Sequence, residues 1–166
     1  KISKLIVVGL GNRNKLIIDN LRTAVALGAR ASIGSSGKLG ISFPWDLYDV
    51  NIVSKVVLEA VRLSLFKDLR FKSSPEEGLK PEQIELIGLP KSLESEFSYI
   101  SPICKGVELA RELVGAPPNS LTPNELAETA LLIAKGNGLE AKILDKEECL
   151  ARGMGAYLAV AQGSDL

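Results

Sequence analysis

Ala116-Pro117-Pro118-Asn119-Ser120-Leu121 cannot be helix. Adjacent prolines remove two backbone donors and push the residue before each of them towards extended geometry. This joint therefore divides the chain into an upstream and a downstream part. Directly after it, Thr122-Pro123-Asn124-Glu125 has the form of a capping box with proline at the first helical position. The threonine oxygen is expected to accept from the Glu125 amide while the Glu125 carboxylate reaches back to the cap. Leu126, Ala127, Ala130, Ile133 and Ala134 then supply an expected buried stripe, and Gly136-Asn137-Gly138 ends the helix. Leu139–Leu144 alternates as a strand, and Asp145-Lys146-Glu147-Glu148 caps another helix that Gly153 terminates. A helix–strand–helix unit is expected here.

Upstream of the joint, strands and helices alternate. Ile2 to Val8 is a short β-branched run ending in Gly9-Leu10-Gly11, which reads as a buried strand turning out of a sheet. As a signal peptide it is too short, and Asn12-Arg13-Asn14-Lys15 comes next with no small-residue cleavage site. Leu16, Ile17, Leu21, Val25 and Leu27-Gly28 recur at helical spacing, with Asp19 and Arg22 on the other face. Lys38–Phe43 reads as a second strand stopped by Pro44. Asp49 or Asn51 caps the clearest amphipathic helix, whose stripe is Ile52, Val53, Val56, Val57, Ala60, Val61 and Leu65. Ser73 to Pro81 is a polar loop and Ile84–Gly88 a third strand. Ser101-Pro102 opens a helix that uses Ile103, Val107, Ala110 and Val114 and stops at Gly115. This alternation argues for an α/β layered domain.

Composition narrows the function. Lys plus Arg and Asp plus Glu each number 20, so the net charge gives no reason to expect nucleic acid or an anionic membrane as partner. Positions 1 to 40 are basic, with Asp19 their one acid, but no aromatic residues interleave with those bases as a stacking platform requires. Solvated helix faces are the simpler reading. No apolar run approaches the roughly 20 residues that span a bilayer. Cys104 and Cys149 have no local spacing motif, which points to a reducing compartment and to ordinary buried or half-buried thiols. Histidine is absent. That removes every Ser-His or Cys-His nucleophile pair and every histidine metal ligand from the chain.

The remaining motifs are better explained structurally. Gly9-Leu10-Gly11 before a helix suggests dinucleotide binding, but Asn14 stands where a third glycine is needed and Asp19 comes too soon for the ribose-binding acid. A tight turn leaving a strand needs glycine in any case. Glu76-Glu77 lies in the polar loop and Glu147-Glu148 in a first helical turn, where carboxylates favour the helix dipole. Trp45, Tyr99 and Tyr157 are scattered and read as packing residues. Ser35-Ser36-Gly37 and Gly163-Ser164-Asp165 are short loops. No catalytic, cofactor-binding or metal-ligating residue is assigned.

The stretch Gly106-Val107-Glu108-Leu109-Ala110-Arg111-Glu112-Leu113-Val114-Gly115-Ala116-Pro117-Pro118-Asn119-Ser120-Leu121-Thr122-Pro123, followed by Leu126-Ala127, resembles the leucyl aminopeptidase family of two-metal exopeptidases. So does Gly153-Met154-Gly155-Ala156-Tyr157-Leu158-Ala159-Val160-Ala161-Gln162-Gly163-Ser164. The resemblance is specific from about Cys104 to Leu166. Further upstream, Ile6–Gly11 and Phe66–Ser73 look like landmarks of that family's N-terminal domain, in a form similar to bacterial or cyanobacterial members.

The resemblance implies a cytoplasmic homohexamer that removes N-terminal, leucine-like residues from peptides with two divalent metals, zinc or manganese. In that family the metals polarise the scissile carbonyl and activate a bridging water. Their ligands come from Asp-Ser-Gly-Gly and Asn-Thr-Asp-Ala-Glu-Gly-Arg segments, and neither occurs here, so no ligand is carried onto this chain. The implied organisation is an N-terminal, macro-domain-like α/β domain at 1–97, a connecting helix and Pro-rich joint at 98–121, and the opening of the α/β peptidase domain at 122–166. Both ends are expected to be cut, since family members begin earlier and carry the catalytic sheet later. The alternative is a stand-alone, non-catalytic α/β binding or interaction module.

Overall fold

The computed structural model describes residues 2–74, 78–89 and 91–163. Its elements run α1 (Ile18–Ala31), β1 (Lys38–Ser42), α2 (Val50–Leu65), β2 (Gln83–Ile87), α3 (Ile100–Gly115), α4 (Pro123–Gly136), α5 (Lys146–Ala151) and α6 (Gly155–Ala161). Short 3-10 turns occupy Arg13–Lys15, Trp45–Leu47 and Lys91–Phe97. The chain forms two compact units, Lys1–Glu112 and Leu113–Leu166.

The first unit is built round a β–α–β crossover. β1 and β2 pair in parallel, Lys38 opposite Gln83 and Ser42 opposite Ile87, and parallel neighbours need such a crossover, here through α2. Alternation directs Leu39 and Ile41, with Ile84 and Leu86, towards the core. Lys38 and Glu85 meet across the strands at 2.6 Å. Asp49 starts α2 by accepting from the Asn51 and Ile52 amides at 2.8 and 3.3 Å. Val53, Val56, Val57, Ala60 and Val61 are buried as their spacing predicts, whereas Ile52 is exposed. Leu21 and Ala29 of α1 and Phe43 complete the buried cluster, and Trp45 packs on it while donating from Nε1 to the Ile87 carbonyl at 2.8 Å. Tyr48 donates its hydroxyl to the Leu16 carbonyl.

Three sequence expectations need correction. The run Ile2–Val8 is not in a ladder. Its alternation survives, with Ile6, Val8 and Leu10 half-buried and Leu5 and Val7 exposed. The segment instead lies along α1: a Val8 methyl sits where a Cβ on Gly28 would be 3.3 Å away, and Lys4 Nζ donates to the Ala31 carbonyl at 2.5 Å. A strand exists only with a hydrogen-bonded neighbour, and the β1–β2 ladder does not extend to these residues.

The face that α3 buries also differs. Ile100 and Cys104 are buried while Ile103, Ala110 and Val114 are exposed, so the inward line runs from these two through the half-buried Val107 and Glu108.

The third correction lies in the second unit. The capping box is present, with Thr122 Oγ1 accepting from the Glu125 amide at 3.4 Å and the Thr122 amide donating to Glu125 Oε2 at 2.9 Å. Asp145 and Glu148 repeat it on α5. Gly138 and Gly153 take positive φ, 66° and 71°, and stop α4 and α5. Leu139–Leu144, however, is in no ladder. The α4 stripe is not buried either: Ala134 is, but Leu126 and Ile133 are exposed. Ala134 and Cys149 are the only buried residues among those described in this unit. Short helices without a sheet offer too little apolar surface to cover one another.

Stability should respond in two places. Leu21, fully buried, should cost about 2–5 kcal/mol when replaced by alanine, read as a lower urea midpoint of the first unit. Thr122→Ala should cost on the order of 1 kcal/mol of α4 stability and Thr122→Ser close to nothing, measured by amide exchange along α4.

Candidate functional site

Sequence alone singles out few side chains, and the structure scatters them. Gly11 has φ of 78°, but the residues after it form the 3-10 turn at Arg13–Lys15, capped by the Asn12 side chain accepting from the Asn14 amide at 2.9 Å. α1 opens only at Ile18, so the glycines do not deliver a helix N-terminus to a pyrophosphate as the dinucleotide motif requires. A cleft of about 250 Å³ lies beside this turn, lined by Leu10, Gly11, Arg13, Leu16, Pro44 and Asp46. Another of about 210 Å³ is lined by Ile33, Leu65, Lys67, Leu69, Leu79 and Lys80.

Glu76-Glu77 falls outside the described residues, as does Ser164-Asp165. Ser35-Ser36-Gly37 leads into β1, and the Gly37 carbonyl accepts from the Glu82 amide at 2.8 Å. Glu147 and Glu148 occupy the first turn of α5. Glu148 accepts from Lys142 Nζ at 2.5 Å, and this bond, then the Asp145 backbone, lowers its pKa. That is a capping carboxylate, not a general acid. Trp45 packs as expected and Tyr99 lies under Lys55 Nζ at 4.8 Å, whereas Tyr157 is exposed. Both cysteines are free and buried. Burial pushes the Cys104 thiol up, the reverse of what a nucleophilic thiolate needs.

The most ordered polar arrangement joins α2 to α3. Arg62 donates from Nε and Nη2 to the two carboxylate oxygens of Glu108 at 2.8 and 2.7 Å, and from Nη1 to Ser101 Oγ at 3.0 Å. The two side chains retain 31% and 20% of their exposure, so the pair is partly withdrawn from water. Hydrogen bonding from Arg62 holds the Glu108 carboxyl below its ordinary range, and the same bond raises Arg62. Planar, bidentate contact of this kind is the strong form of ion pair. Arg111 donates to the Leu63 carbonyl at 2.6 Å, and Arg70 to the Glu112 carbonyl at 2.5 Å. Asp68 aims Arg70 through contacts of 2.9 and 2.7 Å and is itself held down at about 2, chiefly by that side-chain bond. Sequence patterning offers no signal for the ties between α2, α3 and Arg70, because their partners stand about 40 residues or more apart. This arrangement is structural: a carboxylate already committed to a guanidinium has no proton to exchange near neutral pH.

Among the described residues, no group of three or more His, Cys, Asp or Glu side chains could hold a metal ion. The described residues therefore do not fit a two-metal centre. No described helix is long and apolar enough to cross a membrane.

The ion pair gives an expected pH dependence. The pKa of Glu108 is lowered on folding, so its contribution is fully present above the unfolded-state carboxylate pKa and is lost as pH falls through the folded value. The stability gap between the parent and Glu108→Gln should shrink steadily on acidification below the ordinary glutamate range, as read from denaturant midpoints across pH. A gap independent of pH contradicts the assignment.

Comparisons with known proteins find two domains of one family in order along the chain. Residues 1–75 match the N-terminal domain of the cytosol aminopeptidase family, and residues 108–166 match that family's catalytic domain. A probable cytosol aminopeptidase of Prochlorococcus marinus (strain MIT 9211) is 56% identical over 163 residues, covering 98% of this chain and 33% of the relative. One from Synechococcus sp. (strain CC9902) is 50% identical with the same coverage. The chain thus spans about a third of the length of the curated relatives it matches. A tomato leucine aminopeptidase mutant shares the fold at a TM-score of 0.75 and 31% identity, over 86% of this chain and 30% of that one. The bottromycin maturation enzyme BotP matches at 0.72 over 95% of this chain and 34% of its own, with 21% identity, a likeness of fold alone. By both domain matches, in order along one sequence, the chain belongs to the cytosol aminopeptidase family.

Proposed function

We propose that this chain is the N-terminal part of a cytoplasmic leucyl aminopeptidase, a metal-dependent exopeptidase that releases N-terminal amino acids from peptides. The observation that carries the reading is the ordered pair of domain matches, backed by near-complete coverage of this chain at 50–56% identity by aminopeptidase relatives about three times as long. In this reading residues 1–97 are the non-catalytic domain, 98–121 the connecting helix and joint, and 122–166 the opening of the peptidase domain. Peptides are the substrates of the whole enzyme, two divalent ions of manganese or zinc its cofactors, and a homohexamer its assembly. A solved BotP structure in complex with Mn lends weight to the metal, although its identity to this chain is only 22%. The described residues do not fit a two-metal centre, so no step of hydrolysis is assigned to them.

Exposed Leu126, Leu132, Ile133, Leu150, Tyr157 and Val160 give this part of the chain its task. Apolar side chains at that density on one small unit mark a surface made to be covered, and in this reading the remaining peptidase domain covers it.

Two measurements test the proposal. The 166-residue chain, purified free of contaminating peptidases, is expected to release no product from leucine amides with manganese or zinc present. Fused in frame to the remaining two thirds of the Prochlorococcus relative, it is expected to give a metal-dependent aminopeptidase. Turnover by the chain alone refutes the assignment of roles. A folded fusion that is inactive, beside an active relative, refutes the function.

A further inference from the structure

We propose that three arginines clasp α3 to the N-terminal unit as far as Glu112, and that the chain bends in the segment from Leu113 to Leu121 rather than where α3 begins.

α3 is a 16-residue helix that buries little apolar surface: Ile100 and Cys104 are its only buried residues. Its hold on the first unit therefore depends on polar ties. Arg62 grips Ser101 and Glu108 together, seven residues apart, which is roughly 10 Å of helix. The other two arginines act reciprocally. Arg111, on α3, satisfies the carbonyl of Leu63 in the last turn of α2 and lies over the Phe66 ring at 5.9 Å. Arg70, just beyond α2, satisfies the carbonyl of Glu112 in the last turn of α3. The last carbonyls of a helix have no intrahelical donor, so each helix end is completed by a cation from the other side, with the sign that its dipole favours. Asp68 fixes Arg70 in place, so that cap is held from two sides.

These ties stop at Glu112. Val114, two residues on, is 88% exposed. The hydrogen bonds of the next turn are local, from Ala116 to Leu113 and from Ser120 and Leu121 to Pro117. Gly115 and the two prolines then end the helix. The match to the catalytic domain starts at residue 108, so residues 108–112 move with the upstream unit although they match the downstream domain.

The test uses the full 166-residue chain. In limited proteolysis with a nonspecific protease, the first cuts are expected within 113–121 and not within 98–112. Amides of 104–112 are expected to exchange as slowly as those of 53–61. The double variant Arg70→Met/Arg111→Met should speed exchange at 108–112 on the order of tenfold, the loss of charged hydrogen bonds, and open cut sites there, leaving 53–61 unchanged. First cuts inside 98–112 of the parent chain, or exchange at 104–112 about a hundredfold faster than in α2, overturn the clasp. A folded double variant indistinguishable from the parent also overturns it. If that variant fails to fold, the parent's cleavage and exchange pattern decides the question.

Discussion

The valine face of α2 is what the first unit depends on. Val53, Val57 and Val61 are fully buried, and around them gather Leu21 and Ala29 from α1, Phe43, and the inward residues of both strands. Each β-branched side chain is stiff at χ1, so the helix presents a fixed surface at little entropic cost. Two strands alone make no stable sheet. β1 and β2 persist because α2 crosses between them and covers one face. The Asp49 cap, the Trp45 bond to Ile87 and the Val8 methyl against Gly28 all adjust elements that this apolar surface has already brought together.

Whatever depended on local chemistry was legible in the sequence. The Asp49, Thr122 and Asp145 caps, the glycine stops at 138 and 153 and the α2 stripe are each decided within a few residues. Features that depend on a distant partner were not. Alternation in Ile2–Val8 and Leu139–Leu144 shows that one side of the chain favours burial, but it cannot supply the neighbour that makes a strand. On α3, apolar spacing picks out the half-buried Val107 but assigns the equally half-buried Glu108 to solvent, because it is a carboxylate. Only Arg62, 46 positions earlier, makes that placement tolerable. The candidate site was legible in the same limited sense. Missing histidine was plain to see, and the motifs on either side of the Pro-rich joint carried the family resemblance that the domain matches bear out.

The two units obey different physical regimes. The first has a closed core and ties its inward carboxylate, Glu108, to a guanidinium. The second has well-made helix boundaries and almost no interior, with Val160 87% exposed and Leu132 70%. Good caps without burial specify where helices start and stop but contribute little net stability. In the proposed reading, local signals set the elements of this unit and the rest of the peptidase domain provides its core.

Amide hydrogen exchange on the verified monomer measures this contrast directly. Residues 53–61 are expected to exchange slowly, near the rate of global unfolding, and residues 126–133 to exchange faster by orders of magnitude. In the fusion to the remaining two thirds of the Prochlorococcus relative, residues 126–133 should become as slow as 53–61. Uniformly slow exchange across both regions of the isolated monomer would contradict it, showing that the second unit is complete as it stands.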